Sequence, residues 1–324
     1  MKACTVILPC YHDSASLELL LPRIWKASLP AGYSLEILVV NDTASPDVEL
    51  EEVCGRHKAD LLTVPFHMGH QEAVVFGIRH CVLSPAAKLA GRSGQERVFV
   101  TMDADGQDDP DCIGRLLEAV QPGEIVVAQR IGKRPEGRAF SLFYALYKRL
   151  FQVLVGFVPD FGNFAAFDAR IARQIAVSPH FDIAYSLSLP LVAPIRRVPV
   201  QRLPRLAGKP KVGYMGLFDH SLQLLLPHWK AILRRVSIAS AVVGGASLAL
   251  TMIISLIRLF APAYAFPNWA TTVAFGSLII CIQLLTLCAV LYFIGSLFRQ
   301  IAVSSAWRHA LSRDIAWTPD DRRP

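Results

Sequence analysis

The stretch that decides the fold is Val98-Phe-Val-Thr-Met-Asp-Ala-Asp-Gly-Gln107. Its first five residues are mostly β-branched or aromatic, which predicts a buried strand ending at Met102. Asp103 and Asp105 follow directly, and open α/β sheets bind ligands at this end of their strands. Carboxylate oxygens suit Mg²⁺ or Mn²⁺ held against a diphosphate. Asp-Ala-Asp-Gly also fits a plain polar turn, so the metal interpretation depends on the surrounding elements.

The segments on either side of this stretch alternate between strand and helix patterns. Apolar runs predict strands at residues 5–8, 35–40, 60–64, 124–130 and 195–201. Amphipathic or apolar runs predict helices at residues 17–24, 49–57, 69–82 and 140–157. This alternation predicts an α/β fold with a mostly parallel, doubly wound sheet. Gly162-Asn-Phe164 reads as a turn before a further helix.

The composition limits the partners. The chain has 324 residues, 53% of them hydrophobic, and a net charge of +7, which favours anionic partners such as a nucleotide diphosphate or an acidic lipid. Nucleic acid is disfavoured because no basic run is interleaved with aromatic residues. Seven cysteines without a Cys-x-x-Cys pair argue against a disulfide framework or a zinc site. The N-terminal apolar run is too short for a signal peptide, so the sheet domain is expected in the cytoplasm.

The C-terminal third carries the excess hydrophobicity. Residues 214–235 are amphipathic and could lie along a bilayer interface, and residues 236–257 and 270–298 contain no charge and are long enough to span it. Arginines flank both predicted spans, against one in the loop between them, which predicts that both ends of the hairpin are cytoplasmic. Two buried helices of a soluble core are the alternative.

Five motifs, in this order along the chain, resemble a known family. They are Val6-Ile-Leu-Pro-Cys-Tyr-His-Asp13, Val39-Val-Asn-Asp42, Asp103-Ala-Asp-Gly-Gln-Asp-Asp-Pro110, Ala128-Gln-Arg130 and Arg205-Leu-Ala-Gly-Lys-Pro-Lys211. The chain is similar to family 2 glycosyltransferases of the GT-A fold, and most closely resembles the membrane-anchored polyprenyl-phosphate sugar transferases among them. The resemblance extends over nearly the whole chain, including the two predicted spans.

The resemblance implies a metal-dependent, inverting transfer of a sugar from a UDP- or GDP-linked donor to a polyprenyl phosphate of the undecaprenyl type. The cofactor is then Mg²⁺ or Mn²⁺, and the reaction takes place at the cytoplasmic face of a bacterial-type plasma membrane. It implies a catalytic domain over 1–213, a juxtamembrane helix over 214–235, a transmembrane hairpin over 236–299 and a cytoplasmic tail over 300–324. Two-span relatives make a homotetramer the expected assembly.

The resemblance also assigns residues to roles. The nucleotide sugar is expected to bind to Pro9, Tyr11, Asp13, Asp42, Gly69, Gln71, Asp103, Ala104, Arg205 and Lys211. The metal is expected to bind to Asp103, Asp105 and Gln107, and the catalytic set is Asp105, Arg130, Arg138 and Ser141. A phosphate acceptor is already an anion and needs no general base, whereas an arginine fork suits its oxygens. Arg205 and Lys211 are expected on a loop that closes over the diphosphate.

Three positions depart from the family pattern. Pro210-Lys211 replaces the usual Ser-Lys, Asn163 replaces an acidic residue, and His67-Met-Gly69-His70 replaces Asn-x-Gly-Lys. His67, His70 and His12 are interpreted as pocket-lining or structural residues. The departures leave donor and acceptor open, so two other functions are retained. One is transfer to a different lipid or glycan, and the other is a non-catalytic membrane protein on a decayed transferase fold.

Overall fold

The structure is a computed structural model that describes residues 2–43, 45–83, 96–131, 138–207, 221–261 and 269–311. The strands are β1 (Lys2–Cys10), β2 (Tyr33–Asn41), β3 (Asp60–Thr63), β4 (Arg97–Thr101), β5 (Ile125–Ile131), β6 (Phe161–Asp168) and β7 (Ile195–Gln201). The helices are α1 (Ser14–Lys26), α2 (Val48–Arg56), α3 (His70–Leu83), α4 (Ile113–Ala119), α5 (Arg138–Leu154), α6 (Ala169–Val177), α7 (Trp229–Phe260) and α8 (Trp269–Leu311). The strands predicted from the sequence, and the helices predicted at residues 17–24, 49–57, 69–82 and 140–157, are confirmed with small shifts at their ends.

The strands form one sheet in the order β3-β2-β1-β4-β6-β5-β7. β1 pairs in parallel with β2 and β4, β2 with β3, and β5 with β7, whereas β6 is antiparallel to both of its neighbours. The prediction of a mostly parallel α/β sheet is therefore confirmed. Helix α1 buries Leu17, Leu20, Leu21 and Ile24 against this sheet, at the spacing of one helix face.

The turn predicted at Gly162-Asn-Phe164 is wrong, because these residues lie inside β6. Glycine and asparagine favour turns locally, but here burial between two strands decides the conformation. Phe164 is 1% exposed, and the following Ala165 pairs with Thr101 of β4. The hydroxyl of Thr101 donates to the carbonyl of Asn163 at 2.6 Å, which fastens this part of β6 to the centre of the sheet.

The described chain forms two compact units. The second comprises Leu146–Val158 and His228–Ser304, and the sheet belongs to the first. In the second unit α7 and α8 are each long and apolar enough to cross a membrane. Residues 208–220, which include the first seven residues of the juxtamembrane helix predicted over 214–235, lie outside the described residues, and from Trp229 the chain is part of α7. The domain boundaries drawn from the sequence remain predictions.

Candidate active site

Three strand ends bring the acidic motifs together. β1 is paired with β2 on one side and with β4 on the other, both in parallel, so the loops after Cys10, Asn41 and Thr101 open at the same edge of the sheet. The amide of Asp42 donates to the carbonyl of Cys10 at 2.8 Å, which continues the pairing into the loops. These loops form the candidate active site.

Asp103 is the centre of the first cluster. Its Oδ1 lies 2.8 Å from Nε2 of His70 and accepts a 2.8 Å hydrogen bond from Nδ2 of Asn163. Its Oδ2 accepts from Nη2 of Arg130 at 3.4 Å. Burial opposes ionisation, but the neighbouring His70 and Arg130 outweigh it and lower the pKa of Asp103. The carboxylate is therefore kept charged at the end of β4.

Arg130 connects Asp103 with a buried carboxylate, Asp108. Asp108 is 3% exposed, accepts from the amide of Asp103 at 3.1 Å and accepts from Nη2 of Arg130 at 3.3 Å. Burial and the charge of Asp103 raise the pKa of Asp108. Gly162 leaves the space that Arg130 occupies, because a Cβ at this position would lie 2.8 Å from Nη2. The arginine thus offsets two carboxylates at the end of β5.

Gln71 orients this cluster from the first turn of α3. Its Oε1 accepts from the amides of Tyr185 and Ser186 at 2.8 and 3.0 Å. Its Nε2 donates to Oδ1 of Asn163 at 2.8 Å, which leaves the amide group of Asn163 turned toward Asp103. Buried polar groups are stable only when paired in this way. The contact of Gln71 with a nucleotide sugar remains a prediction.

Asp105 and Gln107 form the second cluster with two arginines. Oδ1 of Asp105 accepts from the amide of Gln107 at 3.0 Å, and Oδ2 accepts from Nη1 of Arg205 at 3.1 Å. The other end of the Arg205 guanidinium donates to Asp13, and Arg202 donates to Oε1 of Gln107. Burial and the charge of the preceding carboxylate raise the pKa of Asp105. Guanidinium groups therefore contact both Asp105 and Gln107.

Backbone contacts hold the arginine-bearing segment on the metal motif. The amide of Leu203 donates to the carbonyl of Gln107 at 2.9 Å, and the amide of Leu206 donates to that of Asp105 at 3.1 Å. Gly106 has a φ of +76°, and Leu206 fills the space where a Cβ would stand. Only glycine meets both conditions without strain. The described part of the loop predicted to close over a diphosphate thus lies against the motif.

The donor set of the motif suits a hard divalent cation. Asp103, Asp105 and Gln107 offer carboxylate and amide oxygens, and guanidinium groups already balance them. Within the described residues no three His, Cys, Asp or Glu side chains form a metal-binding group. Such a site would depend on waters and substrate phosphates for its remaining ligands, which is how Mg²⁺ is commonly bound. The residues therefore fit the expected ion together with a diphosphate.

Asp42 organises the other side of the site. It is 1% exposed, and its two oxygens accept from the amides of Met68 and Gly69 at 2.8 and 3.0 Å. Nδ1 of His67 lies 2.9 Å from the Asp42 carbonyl, and the His67 ring lies 4.4 Å from that of Tyr11. Asp42 thus fixes the turn that starts α3. The partly exposed rings of Tyr11 and His67 lie beside this turn and offer a surface for stacking against a nucleobase.

The remaining predicted residues divide into two groups. Pro9 is buried within β1 and Ala104 is 5% exposed, so both expose little side-chain surface. Lys211 and the side chains of Arg138 and Ser141 lie outside the described residues. Their assigned roles remain predictions.

Three contributions were missed from the sequence. Asp108 was missed although it continues the acidic run of the motif, and Arg202 although it precedes the predicted loop. His70 was interpreted as pocket-lining or structural, but its contact with Asp103 was not predicted. The departures at positions 70 and 163 were the available signal, because both residues contact the same carboxylate oxygen.

Comparison with known proteins gives a family match and one informative relative. The family model described as glycosyl transferase family 2 matches residues 5–173. The curated protein "undecaprenyl-phosphate 4-deoxy-4-formamido-L-arabinose transferase" of Klebsiella pneumoniae (strain 342) is 27% identical over 280 residues, which cover 82% of this chain and 80% of the relative.

Solved structures with a similar chain path have low sequence identity. Glucosyl-3-phosphoglycerate synthase from Mycobacterium tuberculosis, in complex with Mn²⁺, UDP and glucosyl-3-phosphoglycerate, is 18% identical with a TM-score of 0.46, over 71% of this chain and 80% of that one. Mannosyl-3-phosphoglycerate synthase from Rubrobacter xylanophilus is 15% identical with a TM-score of 0.44, over 72% and 74%.

Proposed function

Since the chain belongs to glycosyl transferase family 2 and is a glycosyltransferase, we propose that it transfers a sugar from a nucleotide diphosphate to a polyprenyl phosphate in a membrane. One observation carries the proposal: the chain joins a carboxylate site at the strand ends to two helices apolar enough to cross a bilayer. A polyprenyl chain is confined to the bilayer, so an enzyme anchored there meets its acceptor. The curated relative is named for an undecaprenyl-phosphate substrate and aligns over most of this chain, which supports the choice of acceptor.

The metal motif is assigned to the donor diphosphate. Asp105 and Gln107, with Asp103 beside them, would hold Mg²⁺ or Mn²⁺, and the ion would stabilise the departing diphosphate. Arg205 contacts Asp105 from the adjoining loop, so the same guanidinium is close enough to exchange the carboxylate for a phosphate of the donor. Exclusion of water by this loop would limit hydrolysis of the donor.

The acceptor phosphate is assigned to Arg130 at the end of β5 and to Arg138 and Ser141 at the start of α5. An anionic oxygen needs alignment and charge balance rather than deprotonation, and attack in line with the leaving diphosphate gives inversion. Arg130 remains the first candidate, although Asp103 and Asp108 share its Nη2, and its other nitrogens supply further donors. Arg138 and Ser141 complete the proposed set.

The membrane topology follows from the distribution of charge. We place α7 and α8 across the bilayer with the sheet on the cytoplasmic side, because arginines concentrate at the outer ends of the hairpin. α8 has 43 residues and would be about 65 Å long, so it extends beyond a hydrocarbon core of about 30 Å. A tetramer is expected only by analogy with two-span relatives.

The test is an assay of donor and acceptor together. Purified protein in detergent is incubated with Mn²⁺, undecaprenyl phosphate and a panel of UDP- and GDP-sugars, and release of nucleoside diphosphate is measured. We expect that one donor releases nucleoside diphosphate, that this release requires the lipid, and that it is lost in Asp105→Asn. Asp111→Asn is the control, since Asp111 is exposed and lies just beyond the motif.

Other results would change the assignment. Nucleotide binding without lipid-dependent release would favour another lipid or glycan acceptor. Absence of nucleotide binding in the folded protein would contradict the transferase and favour a decayed site.

A further inference from the structure

The second half of α5 has an exposed apolar face. Leu146, Leu150 and Val153 are 66%, 51% and 59% exposed. Their spacing of four and three residues places them along one side of the helix. Three large apolar side chains in a row at such exposure are unusual for a water-facing helix. This face therefore needs an occupant.

The opposite side of the same helix is packed within the second compact unit. Phe151 is fully buried, and the rings of Phe157 and His228 contact it edge-on at 5.2 and 5.8 Å between centroids. The core contacts of the helix are thus already made on this side. The exposed leucines do not belong to that core.

Arg235 fixes the helix to the beginning of α7. Its Nη1 donates to the carbonyls of Gln152 and Val153 at 3.4 and 3.0 Å, in the last turn of α5. A cation at this position also complements the helix dipole. Gly156 has a φ of +110°, and the guanidinium occupies the space of a Cβ there. The apolar face is therefore held close to the residue at which the predicted first span begins.

The charge of these segments has one sign. Residues 138–158 and 221–311 contain no aspartate or glutamate. Their charged residues are therefore cationic. Lys148 and Arg149 lie on α5, and Lys230 and Arg234 lie in the first turns of α7; all but Lys148 are exposed. A basic surface beside an apolar stripe matches the boundary between anionic headgroups and acyl chains. It does not match an aqueous surface.

We propose that the Leu146–Leu150–Val153 face of α5 is a membrane-binding surface that inserts into the interface of a bilayer containing anionic lipid. This inference rests on the proposed membrane anchoring by α7 and α8. The leucines and the valine enter the acyl boundary, while Arg149, which is exposed next to Leu150, extends to the headgroups. The protein then contacts the bilayer through a helix parallel to its surface as well as through the spans.

Photo-crosslinking in nanodiscs tests the occupant. The full-length protein, in phosphatidylglycerol-containing nanodiscs, carries benzoylphenylalanine in place of Leu150, Leu250 or Val48, and adducts are identified by mass spectrometry. Leu250 is 49% exposed on α7 and reports the span, whereas Val48 is 66% exposed on α2 and is the matched apolar control. We expect lipid adducts at 150 and 250, at least tenfold above those at 48.

The other outcomes separate this inference from the anchoring on which it rests. Lipid adducts at 250 without adducts at 150 would overturn the interfacial helix and leave the anchoring intact. Absence of adducts at both would overturn the anchoring. Crosslinks from 150 to a second copy would assign the face to an oligomer instead. Equal yields at 150 in phosphatidylcholine and phosphatidylglycerol would overturn the anionic preference.

Discussion

The side-chain amide of Gln71 donates a 2.8 Å hydrogen bond to Oδ1 of Asn163, joining the first turn of α3 to β6. Asn163 can therefore present only its Nδ2 to Asp103, which it contacts at 2.8 Å together with His70. An acidic residue at 163, as in the family pattern, would place a second carboxylate against Asp103. The two departures from the family, at positions 70 and 163, thus act together: both side chains contact Asp103 and stabilise its negative charge.

A double-mutant cycle tests this coupling. Asn163→Asp should lower the stability by about 1–3 kcal/mol, because it replaces a donor to Asp103 by a like charge. Adding His70→Lys should recover part of this loss, since an ammonium group can lie between the two carboxylates. Thermal unfolding of both single variants and the double variant gives the coupling energy. Purely additive changes in the free energy of unfolding would contradict coupling between positions 70 and 163.

Gly162→Ala should reduce activity more than stability. The added Cβ would lie 2.8 Å from Nη2 of Arg130, and the flexible guanidinium can move away at little cost. The alignment of the guanidinium with Asp103 and Asp108 would be lost. We expect turnover to fall by about tenfold or more, which corresponds to a rise of roughly 1.4 kcal/mol in the activation free energy. Unfolding temperature and turnover are measured together.

The control for this variant is Gly55→Ala. Gly55 lies in α2, and no atom of the described residues stands within 4 Å of its Cβ position, so alanine there should leave turnover unchanged and stabilise the helix slightly. Full activity of Gly162→Ala would mean that the position of Arg130 is unimportant.

Local sequence patterns were sufficient to predict which residues follow the strands, but not to predict the strand β6 or the contacts that it makes. Asp42, Asp103 and Asp105 follow strands whose apolar runs and turn residues are adjacent in sequence, so their common edge could be predicted. β6 could not, because its local residues favour a turn and only its insertion between β4 and β5 makes it a strand. The Gln71–Asn163 contact depends on that insertion and spans 92 residues, beyond the reach of any periodicity.

Arg205→Gln should strengthen Mn²⁺ binding in the absence of nucleotide. The guanidinium bridges Asp13 and Asp105, so a cation must displace it to reach Asp105. Removing this competition should improve affinity by about 3- to 10-fold, as expected for a partly exposed ion pair of about 1 kcal/mol. Titration with Mn²⁺, followed by electron paramagnetic resonance of the free ion, measures the effect.

The same variant should lose transferase activity if Arg205 also binds the donor diphosphate. Arg115→Gln is the matched control, because Arg115 is exposed and donates to the carbonyl of Pro199 instead. Unchanged Mn²⁺ affinity in Arg205→Gln would show that the guanidinium does not compete with the ion.

Glu72 gives the stability of the first unit a pH dependence. Burial and the nearby Asp182 raise the pKa of the Glu72 carboxyl, and the partial compensation by Arg79 does not reverse this. Between the ordinary and the raised value the folded state binds more protons than the unfolded state, so stability falls as pH rises through this window. Above it the charged carboxylate is a constant destabilising contribution.

Glu72→Gln should therefore raise Tm by about 2 °C or less at pH 7.5 and leave it nearly unchanged at pH 4. Scanning fluorimetry from pH 4 to 8 measures the difference from the wild type. Glu52→Gln is the control, since Glu52 is exposed on α2 and should not change the pH profile. A Tm of Glu72→Gln below that of the wild type at pH 7.5 would mean that the carboxylate stabilises the fold, contrary to the direction argued from its burial.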